Sequence, residues 1–208
     1  MQTRTSEITI EQVGRSLRLS CAQRLPAAVE TVFPFFAAPE NLERLTPSFL
    51  QFRIQRPPVL PLRNGSLIDY RLQLHGLPVW WRTRIEDWSP PQRFIDVQVR
   101  GPFRRWRHLH EFSAVGGETL VTDTVLYDVY CRRLYATRAL GWIDSDLRRI
   151  FVHRQTQIAR IFAGDERRDG NEHQDDQQDG YSHCRAHSQL GPHTEESSEG
   201  AARDESME

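Results

Sequence analysis

The segment VGRSLRLSCAQRLPAAVETVFPFFAAPENLERLTP, residues 13–47, changes periodicity twice, and the order of those changes narrows the architecture sharply. Over residues 13–24, Val13, Leu17, Leu19 and Cys21 alternate with polar residues, the pattern of a half-buried strand. After Pro26 the period shifts. Ala27, Ala28, Val32, Phe35 and Phe36 recur at helical spacing, interrupted by Pro34. Pro39 then opens a second short helix, with Pro47 just past its end. A strand followed at once by two short helices is the informative detail.

Working outward, the chain next reads as a run of strands. Residues 49–56, 66–75, 79–88, 93–99, 105–113 and 118–130 each alternate or are strand-rich. They are separated by turn chemistry: a proline-rich loop ending at Asn64-Gly65, then Gly76-Leu77-Pro78, Pro90-Pro91, Gly101-Pro102 and Gly116-Gly117. Such spacing argues an antiparallel meander. Residues 138–163 differ again, because Leu140, Ile143, Leu147, Ile150, Phe151, Ile158, Ile161 and Phe162 recur at three and four. That predicts an amphipathic helix of roughly 25 residues, near 38 Å long. The expected class is α+β: a curved antiparallel sheet wrapped around a long C-terminal helix, with a cavity between them.

Composition divides the 208 residues into unequal parts. The net charge of −1 averages residues 1–164, with 23 Arg against 15 Asp/Glu, and residues 165–208, with 4 Arg against 13. Nineteen of the 20 aromatic residues lie before residue 165. We therefore expect an N-terminal extension (1–12), one ligand-binding domain (13–164) and a disordered acidic tail (165–208). The tail histidines His173, His183, His187 and His193, with Cys184, read as scattered polar residues ahead of adventitious metal capture. All 27 basic residues are Arg, and without Lys there is no Schiff base, P-loop lysine or lysine base. Cys21, Cys131 and Cys184 are far apart, which disfavours a disulfide framework or structural zinc. No apolar run approaches a membrane span. The N-terminus lacks a signal core, so a cytoplasmic location is expected.

Leu25-Pro26-Ala27, Val32-Phe33-Pro34-Phe35-Phe36, Pro39-Glu40-Asn41-Leu42 and Leu45-Thr46-Pro47 begin a recognisable pattern. It continues through Gly65, Ile68-Asp69-Tyr70, Gly101-Pro102-Phe103 and the run from Trp106 to Phe112. Thr119 to Asp123, Val125-Leu126-Tyr127 and Ile150 to Arg154 complete it. Over roughly residues 15–163 the chain resembles the SRPBCC superfamily, which includes polyketide cyclases/dehydrases, START domains and Bet v 1-like proteins, in an uncharacterised bacterial branch. The resemblance implies the helix-grip fold. It also implies a cavity for a hydrophobic or amphipathic molecule such as a lipid, quinone or polyketide, with cyclisation or dehydration in a minority of members. Epimerase chemistry, found in proteins to which some relatives are attached, has no support: no GxGxxG follows a strand, and Tyr-x-x-x-Lys needs a Lys.

Residues two apart in a strand share a face. Trp106, His108, His110 and Phe112 therefore point together, as do Phe94, Asp96 and Gln98, and Val121, Asp123, Val125 and Tyr127. If the faces coincide, the cavity holds Asp96, Gln98, His108, His110 and Asp123 among apolar groups. The candidate ligand-binding set is Tyr70, Trp81, Asp96, Gln98, Trp106, His108, His110, Asp123 and Tyr127. His108, His110 and Asp123 are the catalytic candidates. Three readings stay open for the polar group: a buried structural network, recognition of a ligand hydroxyl or carbonyl, or general-base or metal chemistry. No metal or cofactor is expected, and ligand carriage or sensing is favoured over catalysis. Of Trp80 and Trp81 one should face inward. Trp142 should pack at the start of the long helix or gate the cavity, and residues 57–64 should form a rim loop.

Arg53, Arg71, Arg82, Arg84, Arg104, Arg105 and Arg107 suggest a rival role for a basic outer face. With no nucleic-acid motif, nucleic acid is not expected as a partner, while transient contact with a membrane surface stays open. The opposite charges of body and tail predict that residues 165–208 fold back over the basic body at low salt. Raising ionic strength should then increase the hydrodynamic radius of the full chain but not that of a chain ending at residue 164. Equal salt responses would overturn the idea.

Overall fold

The computed structural model describes residues 4–130 and 141–164. The acidic tail and Leu140 of the helical repeat lie outside the described residues. Strands β1 (Arg4–Thr5), β2 (Thr9–Val13) and β3 (Ser16–Leu25) come first, then helices α1 (Val29–Ala37) and α2 (Asn41–Arg44). A 3-10 turn, Ser48–Leu50, leads into β4 (Arg53–Arg56), β5 (Leu67–Leu74), β6 (Leu77–Ser89), β7 (Arg93–Arg100), β8 (Arg105–Val115) and β9 (Glu118–Asp128). Helix α3, Trp142–Ala163, follows. All nine strands form one antiparallel sheet in the order β1-β3-β9-β8-β7-β6-β5-β4, with β2 also pairing with β3. This is the helix-grip α+β architecture.

The alternation is obeyed from Arg105 to Phe112 in β8 and throughout β9. Trp106, His108, His110 and Phe112 are buried on one strand; Thr119, Val121, Asp123, Val125 and Tyr127 are buried on the other. The register sets His110 opposite Asp123 and His108 opposite Val125. It is fixed by the turn at Gly116-Gly117, whose φ angles of 60° and 81° suit a two-residue hairpin and exclude most side chains.

Four details differ from the sequence reading. Within the expected extension 1–12, residues 4–12 belong to the sheet, because β1 and β2 pair with β3 and Ile8 is buried. Gly14, at φ 60°, starts a hairpin turn that separates Val13 from the strand assigned to it. Pro34 does not interrupt α1, which runs through it. Residues 49–56 do not make one strand, since Gln51 takes a left-handed conformation (φ 44°) between the 3-10 turn and β4.

Helix α3 has 22 residues, about 33 Å of axis. It buries Leu147, Phe151, Gln155 and Ile158 against the sheet. Two apolar clusters result. One joins Trp81, Trp106, Val125 and Tyr127 to Leu147 and Phe151. The other joins Val32, Phe33 and Phe36 of α1 to Phe94, Phe112, Val121 and Ile158. Phe33 sits edge-on to Phe94, Phe112 and Trp88, with centroids 5.2–5.9 Å apart. Buried tethers pin the ends: Thr119 Oγ1 donates to Ala27 O, and Gln23 Nε2 donates to Gln155 O of α3.

Because Phe112 is 3% exposed inside this aromatic cluster, Phe112→Ala should cost about 3–5 kcal/mol in urea unfolding. Trp80→Ala, at a residue 52% exposed on the outer face, should cost less than about 1 kcal/mol. Similar losses for the two would contradict the inside-outside assignment.

Candidate functional site

Between the two apolar clusters, where β7, β8 and β9 face α3, polar residues replace hydrophobic ones. Asp123 on β9 is at their centre. The imidazole Nε2 of His108 lies 2.9 Å from Asp123 Oδ1, and Nδ1 of His110 lies 2.7 Å from the same oxygen, though off the line a hydrogen bond needs. On the other side Asp96 receives His110 Nε2 at 3.3 Å and lies 3.6 Å from His108 Nδ1. The two imidazoles are tilted across one another with centroids 3.8 Å apart. Each histidine thus spans both carboxylates. From α3, Arg154 brings its Nε to 3.9 Å from Asp123 Oδ2, and its guanidinium lies over the Phe36 ring.

The electrostatics follow from this geometry. Burial alone would raise the Asp123 pKa, but the Arg154 charge and then the two histidines outweigh it and hold the carboxyl well below its ordinary value. Burial likewise opposes ionisation of Asp96, and its hydrogen bond from His110 with the nearby positive charges overcomes that cost. The histidines split. Burial and the charge of His110 push His108 below its ordinary value despite its carboxylate partners. At His110, burial is outweighed by the close Asp123 carboxylate and by Asp96, which takes its Nε2 hydrogen bond, so its pKa rises. Two imidazolium ions this close repel, so protonation of one disfavours protonation of the other, and the pair favours His110 as the site of an added proton. Cys21, opposite Asp123 on β3, is buried, and burial followed by the Asp123 charge pushes its thiol up to about 12. It is no nucleophile.

Next to this cluster is a cavity of about 400 Å³ between the sheet and α3. Its wall is chiefly apolar and aromatic: Phe36, Leu45, Phe52, Ile68, Tyr70, Trp81, Phe94, Phe103, Trp106, Leu147 and Phe151. Asp96, His108, His110 and Arg154 supply polar groups to it. Tyr70 stacks between Phe52 and Trp81, and burial pushes its hydroxyl pKa well up. Trp142 and Asp146 stand at one end, with His75 edge-on to Trp142 and its Nε2 2.7 Å from Asp146 Oδ2.

Six of the nine sequence candidates line the cavity: Tyr70, Trp81, Asp96, Trp106, His108 and His110. Three do not. Asp123 lies behind the histidines. Tyr127 is fully buried and its hydroxyl donates to Asp144 Oδ1. Gln98 turns away to brace the β7–β8 turn, donating to Phe103 O and accepting from Phe103 N, and leaves no room for a Cβ at Gly101. Sharing a strand face was not enough, because only part of each face borders the cavity. Trp81 is the inward member of its pair, and Trp80 lies outside near Arg71. Arg154 was missed. Its signal was present: it falls three residues after Phe151 and four before Ile158, a lone charge on the apolar stripe of the long helix.

Asp96, His108 and His110 also bring ligand atoms within 4.8 Å of one another, close enough to converge on a cation. Their nitrogens already face carboxylates, and Arg154 supplies positive charge beside them, so the set fits a proton-holding network better than a metal. On the outer face, three of the seven arginines of the suggested basic surface, Arg53, Arg82 and Arg84, are ion-paired with Glu43, Asp69 and Glu86. No described helix is long and apolar enough to cross a membrane.

A curved sheet gripping a long helix, with an apolar cavity and one polar cluster between them, defines a helix-grip protein. Residues 25–154 match the family described as "Polyketide cyclase / dehydrase and lipid transport", and the chain belongs to that family within the SRPBCC superfamily. Among solved structures, it is similar to protein Ms6760 from Mycobacterium smegmatis (17% identity, TM-score 0.55, covering 78% of this chain and 99% of that one). It is also similar to a protein from Arthrobacter aurescens (13%, TM-score 0.56, 74% and 92%). The major latex-like protein 151 of Panax ginseng is another (14%, TM-score 0.53, 72% and 99%). At such identities the likeness carries the fold alone. No curated protein sequence matches the chain significantly.

The opposed histidine shifts give a signed expectation. The His110 contribution to stability is present below the ordinary value of 6.5 and is lost as pH rises through its raised folded pKa. His108 resists protonation and so costs stability as pH falls below that value. The Asp123 contribution is present above 3.8 and is lost as pH falls through its depressed pKa. Imidazole NMR should place the His110 midpoint above, and the His108 midpoint below, that of an unfolded histidine. Asp123→Asn should lower the His110 midpoint and cost about 3–5 kcal/mol. Two unshifted midpoints would contradict the network.

Proposed function

We propose that this chain binds a hydrophobic or amphipathic small molecule in the cavity, as a carrier, sensor or accessory protein. The observation that carries the reading is the cavity itself. About 400 Å³ of chiefly apolar, aromatic-lined space sits beside a single polar cluster. An apolar pocket with a few convergent polar groups suits an apolar ligand held in one orientation. The family description, which includes lipid transport, supports it.

A second reading is a cyclase or dehydratase. It is favoured by one observation: His108, with a lowered pKa and a hydrogen bond to Asp123, borders the cavity and could accept a proton from a bound molecule. It ranks below carriage because both histidines are already engaged by carboxylates. The ligand-binding role accounts for the apolar wall without asking the cluster to do chemistry.

Native mass spectrometry of the purified protein should reveal a bound lipophile that organic extraction releases. Leu74→Trp places an indole in the cavity wall and should weaken binding of the extracted compound at least about tenfold, with stability changed by less than about 3 kcal/mol. Conversion of many equivalents of that compound by the wild-type protein, abolished in a folded His108→Ala variant, would replace carriage with catalysis.

A further inference from the structure

Between β4 and β5 the chain runs through Pro57-Pro58-Val59-Leu60-Pro61-Leu62, and the tip of this loop turns apolar side chains to solvent. Val59 is 78% exposed and Leu60 60%, whereas Leu62 is buried and lines the cavity. Among the described residues, no other two consecutive large hydrophobic residues are both exposed. The chain just past the tip is pinned. Arg63 N donates to Ser66 Oγ at 3.0 Å, Gly65 N to Ile85 O at 2.8 Å, and Trp88 N to Asn64 Oδ1 at 2.8 Å. Pro57, Pro58 and Pro61 fix φ on both sides of the tip. Val59 and Leu60 are therefore held away from the core.

The charge around the tip has one sign. Residues 44–68 contain Arg44, Arg53, Arg56 and Arg63 and no Asp or Glu. Arg53 is paired with Glu43, but Arg56 and Arg63, which flank the tip, are exposed and form no ion pair among the described residues. Arg56 helps to lower the Asp69 pKa, yet both oxygens of that carboxylate are taken by Arg82. Two apolar side chains offer far less than the roughly 800 Å² that each side of a specific protein interface buries. A bilayer needs no matched shape. Its interface accepts a small apolar insertion, while anionic headgroups attract the flanking guanidinium groups.

We propose that the β4–β5 loop is a docking site for a bilayer bearing anionic lipid, with Val59 and Leu60 entering the interface and Arg56 and Arg63 on the headgroups. One small insertion and two charges give weak, reversible attachment. Docking would bring the lipid surface close to the cavity wall at Leu62. The proposal goes beyond the ligand-binding reading above and does not depend on what the cavity holds.

The test is co-sedimentation of the full chain with vesicles of phosphatidylcholine alone, or of phosphatidylcholine and phosphatidylglycerol in equal parts. Binding to the mixed vesicles should be at least about fivefold stronger and should weaken as salt is raised. Val59→Asp with Leu60→Asp, at solvent-exposed positions, should lose at least about tenfold in binding with an unchanged thermal midpoint. Arg56→Gln with Arg63→Gln should bring the preference for phosphatidylglycerol to about twofold or less. Leu60→Trp should strengthen binding about threefold, because indole favours the interface. Wild-type protein that ignores the mixed vesicles, or an aspartate variant that binds them equally, would overturn the proposal. Full retention of the lipid preference by the glutamine variant would overturn the role of the two arginines. If the aspartate substitutions instead dissociate a wild-type dimer, the tip belongs to a second copy of the chain and the proposal falls. None of these results bears on small-molecule binding in the cavity, which mass spectrometry reads separately.

Discussion

A carboxylate enclosed by protein is tolerated only if its charge is answered locally, and in this molecule Asp123 imposes that condition on three elements at once. It lies on β9, takes two histidines from β8, and faces an arginine from α3. Asp96 on β7 closes the arrangement from the other side. Removing the charge balance would leave ions in a space of low dielectric, where the penalty is several kcal/mol per ion. The position of α3 along the sheet is therefore constrained by electrostatics as well as by the apolar residues on either side of the cluster.

Those apolar residues explain how a cavity survives in a folded protein. Leu147 and Phe151 secure α3 to the Trp106/Tyr127 cluster, and Ile158 secures it to the phenylalanines from α1, β7 and β8. With contacts at both places, the helix does not collapse onto the sheet between them. The far wall, built from β5, β6 and the α2 region, closes around space rather than against the helix. An apolar void normally carries an energetic cost through lost contacts. Here an occupant would restore those contacts.

Much of the fold was legible because its periodicities are strong and its turns are chemically explicit. The alternation from Trp106 to Phe112 and from Thr119 to Tyr127, joined by Gly116-Gly117, identified the central hairpin and its inward face. What eluded the sequence were places where local pattern is weak or overridden. Residues 9–13 show little apolar alternation, yet they pair with β3 because that edge offers unpaired backbone groups. Pro34 sits within a helix whose burial outweighs the missing N–H. At the site, strand parity identified the histidines and aspartates. It could not show that Gln98 bends back to its own turn, or that Tyr127 points to Asp144.

Sequence alone determined most of the secondary elements, their order, the inward faces of the central strands and the presence of buried titratable groups, since these follow from periodicity and residue chemistry along the chain. Only tertiary structure decided which groups meet. That Arg154 comes from α3 to face Asp123, that the pKa of one histidine is raised while its neighbour's is lowered, and that Asp123 lies behind the wall while Asp96 borders the cavity all depend on distances across the fold. Electrostatic coupling acts through space, and the strengths that set these roles fall off within a few ångströms that no spacing in the sequence encodes.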